Sequence, residues 1–224
     1  RKRVEYVTTD MYKPYIDLAK KVFPNANIVV DKFHIVQLLT RELNKLRINE
    51  MKKLNTSSRE YKILKRYWKI PLTKNWELNS IYFYKNIHFK NMTSSVDILD
   101  YMLGKFPNLK EAYDFYQNFL LSISNNDVAM LEDILNTRTD EIPMCFRKSI
   151  KSLKKLRKYV VNSLKYDYTN AMVEGKNNKI KVIKRVSYGY RSFRNFKARI
   201  MLMERYKIQK GNIHSYQFAM DAAA

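Results

Sequence analysis

The chain has 224 residues, 46% of them hydrophobic, and a formal net charge of +22 from 43 Lys and Arg against 21 Asp and Glu. That length and apolar share suffice to bury a core, which excludes a disordered tail. No run approaches the roughly 18 apolar residues of a membrane span, no signal-peptide pattern opens the chain, and the single cysteine, Cys145, excludes a disulfide framework or a thiolate-rich zinc site.

A soluble, intracellular protein with a polyanionic partner is therefore expected. Because the first residue is Arg1 and Val4 to Thr9 already reads as a strand, the chain is expected to begin inside a larger protein.

Val4 to Thr9 alternates branched and aromatic residues and ends at Asp10, the pattern of a short buried strand with a carboxylate at its tip. A helix follows, with Pro14 in its first turn and an apolar stripe of Tyr15, Ile16, Leu18, Ala19, Val22 and Phe23 that stops before Pro24. Asn27 to Asp31 is a second buried strand. Strand, helix and strand in such short order predict a parallel crossover of an α/β sheet, and two strands alone cannot stand as a sheet.

From Phe33 the period turns helical, with Ile35, Val36, Leu38, Leu39, Leu43 and Leu46 on one face. Ser58 to Trp68 reads as a helix, whereas Trp76 to Phe89 is aromatic and irregular and takes no assignment. Ser95 can cap a helix stopping at Gly104, and Pro107 opens another through Leu120. Asn126 to Leu135, Phe146 to Leu164, Asn170 to Val186 and Phe193 to Tyr206 complete a mostly helical second half.

Charge is unevenly spread. Between Arg147 and Lys210 there are 20 Lys and Arg against three acids, Asp167, Glu174 and Glu204, while Asp97 to Glu141 holds nine acids and three cations. The strongly basic final third is the expected polyanion-binding part.

Three patches could carry chemistry. Asp10, at the carbonyl end of a strand, occupies a common position for a metal ligand, although it could equally cap the next helix. Asp31 and His34, three residues apart, could set an imidazole against a carboxylate and hold a neighbouring ligand in place, or could simply shape the strand-to-helix turn. On the helix from Asn170, the residues Glu174, Asn177, Asn178, Lys181 and Arg185 share a face, while Met172, Ile180 and Ile183 can pack inward. A lone glutamate among amides and cations suits either a solvated surface or an acidic metal ligand beside a phosphate backbone.

Thr8-Thr9-Asp10-Met11, then Phe23-Pro24-Asn25-Ala26 leading to Ile28-Val29-Val30-Asp31-Lys32-Phe33-His34, and later Asn170-Ala171-Met172-Val173-Glu174-Gly175-Lys176-Asn177 with Lys184-Arg185 and Tyr188-Gly189-Tyr190-Arg191-Ser192-Phe193, resemble insertion-sequence DDE transposases of the ISL-three type. The resemblance runs along almost the whole chain, except its last dozen residues. It implies a ribonuclease H-like α/β core, partial in residues 1–51, interrupted by a helical insertion at 52–164, completed by basic helices at 165–210 and followed by a tail at 211–224.

It further implies that Asp10 and Glu174 are the second and third acids of a site for two Mg2+ or Mn2+ ions. The first acid would lie upstream, which would leave the fragment alone inactive. Asp31, His34 and Asn177 would support the site, and Lys181, Lys184, Arg185, Tyr188, Arg191 and Arg194 would contact DNA.

The implied activity is DNA strand cleavage and strand transfer at transposon ends and target. A homo-oligomer in the bacterial cytoplasm, at the nucleoid and away from membranes, would carry it out. The zinc-binding and helix-turn-helix regions usual in the family are not visible in this sequence. The rival expectation is a non-catalytic nucleic-acid-binding protein, or a degenerate transposase remnant, whose 17 tyrosines could stack on bases.

Overall fold

The computed structural model describes residues 3–205, with side chains through Met203. The expected tail at 211–224, the end of the expected 165–210 segment and Tyr206 of the last helix lie outside the described residues. Residues 1–169 form one unit and the residues from Asn170 a second.

The first unit opens with β1 (Tyr6–Thr9), α1 (Lys13–Val22) and β2 (Asn27–Val30). The strands pair in parallel, with Tyr6 opposite Asn27 and Thr9 opposite Val30, as the crossover pattern predicts. Asn27 N donates to Glu5 O and Asp31 N to Thr9 O, so the odd-numbered peptide groups of both strands face each other. Those of Ile28 face away from β1. There Asn162 Nδ2 donates to Ile28 O at 2.9 Å, so the outer edge of β2 is covered by the helix that carries Asn162.

The outer edge of β1 pairs with no strand among the described residues. Beside it lies an apolar hollow of about 240 Å³ lined by Val7, Thr9, Tyr15, Leu18, Val22 and Phe23. The α/β class holds and helices dominate, but two strands are less than a ribonuclease H-like sheet.

After β2 the first unit is helical: α2 (Lys32–Lys52), α3 (Arg59–Arg66), α4 (Ser95–Lys105), α5 (Pro107–Ser124), α6 (Val128–Asn136), α7 (Arg147–Lys155) and α8 (Arg157–Lys165). One continuous core runs from Ile16 of α1 and Val30 of β2 through Leu39, Ile98, Phe119 and Ile150 to Leu164 of α8. Arg47 of α2 is buried in this unit, with Nη1 donating to Leu64 O at 2.6 Å and Nε to Asn44 Oδ1 at 2.9 Å. It thereby satisfies a carbonyl near the end of α3.

Two expectations need correction. The cap of α4 is Ser94, not Ser95; its hydroxyl accepts from Asp97 N while Asp97 Oδ2 accepts from Ser94 N, a reciprocal capping box. Gly104 is followed by one more helical residue, Lys105. The expected single helix from Phe146 to Leu164 breaks at Leu156 (φ −106°, ψ 15°). Past the break, Val160, Val161 and Leu164 are buried and Asn162 reaches β2.

Among the described residues the second unit holds α9 (Ala171–Val186), a short turn and α10 (Phe193–Arg205).

Candidate functional site

Because Thr9 lies opposite Val30, the next residues, Asp10 and Asp31, leave the sheet side by side at its carbonyl end, with Asp31 N bonded to Thr9 O at 2.9 Å. The two carboxylates then diverge in role. Asp31 is only 4% exposed. It caps α2, its Oδ1 accepting from Phe33 N at 2.8 Å, and its Oδ2 accepts from the Thr169 hydroxyl at 3.2 Å.

Asp10 is partly exposed, and its Oδ1 accepts from Tyr12 N at 3.2 Å. Tyr12 itself holds the cap position of α1, without a side-chain bond. Of the two aspartates, the helix cap is therefore Asp31 rather than Asp10.

His34 stands on the first turn of α2, half-buried, with its backbone N donating to Asp31 O at 3.1 Å. Its ring lies edge-on to Phe33, with centroids 5.4 Å apart. Sequence reasoning missed Lys32 and Thr169. Lys32 Nζ donates to Asn126 Oδ1 at 2.8 Å and to the exposed Asp167 at 3.4 Å. A hydroxyl 138 positions along the chain from Asp31 leaves no local sequence signal.

In the second unit Glu174 is exposed on the first turn of α9, where an acid also suits the helix dipole. Asn177, Lys181, Lys184 and Arg185 follow it, all exposed. Of the three residues expected to pack inward, Ile183 is buried and Ile180 half-buried, but Met172 is 74% exposed.

The turn after α9 is tightly built. Tyr188 N donates to Arg185 O and Gly189 N to Lys184 O, both at 3.0 Å, satisfying the last carbonyls of the helix. Ser187 Oγ and the Tyr190 hydroxyl lie 2.8 Å apart, and Tyr190 packs on Phe196 of α10. Tyr188 sits at φ +52°, a left-handed conformation that a tyrosine rarely adopts. Its ring is fully exposed, flanked along the chain by exposed Arg185, Arg191 and Arg194. Lys179 Nζ donates to Met203 O at 3.0 Å, tying α9 to the far end of α10.

As metal ligands, Asp10 and Glu174 offer hard carboxylate oxygens. Among the described residues Asp10 Oδ2 and both Glu174 oxygens make no hydrogen bond, whereas both Asp31 oxygens accept one. Asp10 and Glu174 therefore fit a divalent cation better than Asp31 does. No three His, Cys, Asp or Glu side chains gather into a metal site among the described residues.

A family model described as transposase, of the DDE and ISL-three type, matches residues 1–200. A protein of Lactococcus lactis subsp. lactis named ATP-dependent protease is 31% identical over 201 residues, covering 86% of this chain and 62% of that protein. The chain thus spans less than two thirds of that relative's length. No solved structure matches. No helix among the described residues is long and apolar enough to cross a membrane.

Proposed function

We propose that this chain, which belongs to the DDE transposase family of the ISL-three type, carries the second and third acids of a DNA cleavage and strand-transfer site, Asp10 and Glu174. The observation that carries the reading is the strand register. It sets Asp10 at the carbonyl end of β1, partly exposed and with an oxygen to spare, where α/β folds bind ligands.

In this reading residues 52–164 are the helical insertion, residues 1–51 and 165–210 belong to the catalytic core, and upstream strands supply the first acid. The unpaired edge of β1 and the apolar hollow beside it support such strands, since a two-stranded sheet is marginal by itself.

When bound, two Mg2+ or Mn2+ ions supply activation of the attacking oxygen and stabilisation of the leaving oxygen in an in-line displacement at phosphorus. The chain's own residues hold and orient. Asp10 and Glu174 offer ligand oxygens, Asp31 fixes the turn beside Asp10 through Phe33 N and Thr169, and His34 and Asn177 support their neighbours. Lys181, Lys184, Arg185, Tyr188, Arg191 and Arg194 meet the phosphates of transposon-end and target DNA, and the active assembly holds more than one copy.

The protease name of the relative carries no argument for this chain. Its four glycines, at 104, 175, 189 and 211, form no Gly-x4-Gly-Lys-Ser/Thr phosphate loop.

The test uses the full-length protein, measuring metal-dependent cleavage and DNA affinity side by side. Asp10→Asn and Glu174→Gln should each abolish cleavage and leave affinity nearly intact, because each removes a negative charge while keeping shape. Full activity in Glu174→Gln would sink the assignment. Joint loss of cleavage and binding would make Glu174 a structural residue of α9. A wild-type protein that binds but never cleaves would favour the non-catalytic reading.

A further inference from the structure

The segment between α3 and α4 is the most exposed apolar stretch of the first unit. Ile81 and Tyr82 are each 77% exposed and Ile87 is 80%, with Phe83, Tyr84 and Met92 also outward. So many exposed apolar side chains within one short segment point to a contact surface.

Side-chain hydrogen bonds hold this loop in one shape. Asn79 Oδ1 accepts from Ile81 N and Tyr82 N, and Asn79 Nδ2 donates to Tyr82 O at 2.7 Å. Asn86 Oδ1 accepts from His88 N, and Tyr84 and Thr93 exchange two backbone bonds of 3.1 Å. At its base Arg59 Nε donates to His88 O at 2.6 Å, with its guanidinium over Phe89 and Tyr101 at 4.9 and 4.7 Å. The aromatic rings are thus held outward by a fixed backbone.

Their surroundings are cationic. From Arg59 to Thr93 there are eight Lys and Arg against two acids, and both tryptophans of the chain. A shallow cavity of about 470 Å³ in this region is lined by Arg59, Phe83, Phe89, Lys90, Met92 and Thr93. The Thr93 hydroxyl has no hydrogen-bond partner among the described residues. Partial burial and, after it, the nearby cations Arg66, Lys62 and Arg59 lower the pKa of His88.

We propose that the loop from Leu78 to Thr93, with α3, is a second nucleic-acid contact on which unpaired bases of a single-stranded segment stack. Stacking needs exposed ring faces on both sides, and a duplex hides the faces of its bases. Tyr82 and Phe83 provide the platform. Arg59, Lys62, Lys85 and Lys90 neutralise the strand's phosphates. A protein partner would meet an uncompensated positive rim, whereas a strand carries one negative charge per nucleotide, so the charge selects the polyanion. The proposal rests on the DNA-acting reading of the chain and adds which face takes the unpaired strand.

The test measures binding of the full-length protein to a labelled mixed-sequence 20-mer, single-stranded and as a duplex, at fixed low salt. Tyr82→Ala combined with Phe83→Ala should weaken single-strand binding by about tenfold or more and leave duplex affinity within about twofold. Tyr82→Phe should bind as wild type, because the ring and not the hydroxyl stacks. Thermal unfolding separates misfolding from lost contact, and Lys85→Glu with Lys90→Glu gives a second variant that keeps the rings.

Unchanged single-strand affinity in both double variants overturns the proposal. So does an equal loss for single strand and duplex in a folded variant. Conversion of an oligomer to a monomer with unchanged strand affinity assigns the patch to a second copy instead, which also overturns it. Failure of the catalytic reading would show as intact cleavage in Glu174→Gln, an outcome separate from all of these.

Discussion

In the first unit Leu39, Phe119 and Ile150, from three different helices, are completely enclosed. On α9 Ile183 is buried, while Met172, Val173, Val182 and Val186 are exposed. The first unit also meets several of its buried polar demands internally, as where Arg47 reaches Leu64 O and Asn162 reaches Ile28 O. The second unit carries cations along its exposed surface and holds its turn with a handful of local hydrogen bonds. The contrast teaches that burial is divided unevenly along this chain: the first unit holds the apolar core that dominates folding, and the second exposes cations that add little to folding but attract polyanions.

The largest effect is expected from reversing Lys181, Arg185, Arg191 and Arg194 to Glu. Duplex DNA affinity should fall at least a hundredfold at low salt, and the salt dependence of binding should flatten as counterion release is lost. The melting of the first unit, followed by near-ultraviolet circular dichroism, should stay unchanged; a lower melting temperature there would break the division.

The complementary change is Leu39→Ala, expected to cost about 3 kcal/mol in denaturant unfolding through the cavity it opens. Val186→Ala on α9 should stay within about 0.5 kcal/mol. Comparable costs for the two would show that the second unit has a core of its own.

His34→Ala sharpens the comparison at the sheet's end. If the imidazole positions the site, cleavage by the full-length protein should drop about 10- to 100-fold with unfolding little affected. Lower stability with normal activity per folded molecule would make His34 a packing residue.

Asp31→Ala should destabilise the first unit by about 1–2 kcal/mol, losing a cap and a buried hydrogen bond. Asp10→Ala should change it by less than about 0.5 kcal/mol, since Asp10 holds only Tyr12 N.

A small neutral-pH effect of opposite sign is expected at Tyr113, whose buried hydroxyl has no partner among the described residues. Tyr113→Phe should be within about 1 kcal/mol of wild type, on the stabilising side. Burial, with Asp114 and Asp100 nearby, pushes this hydroxyl up to about 12. Because the folded value is raised, its contribution is fully present below about pH 10, the ordinary tyrosine value, and is lost as pH rises through about 12. Phenylalanine should remove that part of the alkaline decline.

The start of the fold was legible because its signals are local. Branched residues ending in an acid marked β1 and β2, Pro24 marked the end of α1, and a long helical period marked α2. What stayed hidden depends on distant partners. Nothing near Leu156 in sequence, neither glycine nor proline, marks a break; it becomes intelligible once Asn162 is seen covering Ile28. Ser94 and Ser95 are equivalent by propensity, and only the reciprocal bond with Asp97 chooses between them.

The site followed the same rule. Asp10 and Asp31 could both be singled out, but which one caps a helix depends on Phe33 N and Thr169. The loop around Tyr82 resisted assignment because Asn79 and Asn86, not a repeating backbone pattern, give it shape.

The covering of β2 by Asn162 has a consequence for growth in numbers. A strand edge is a template for adding another chain, and a fibre requires each molecule to offer two of them. Here one side of the sheet is closed by a side-chain amide and a helix, leaving β1 as the open end among the described residues. Growth of this sheet therefore runs one way, through β1, where the proposed upstream strands would add, and cannot proceed past β2 without first unseating α8.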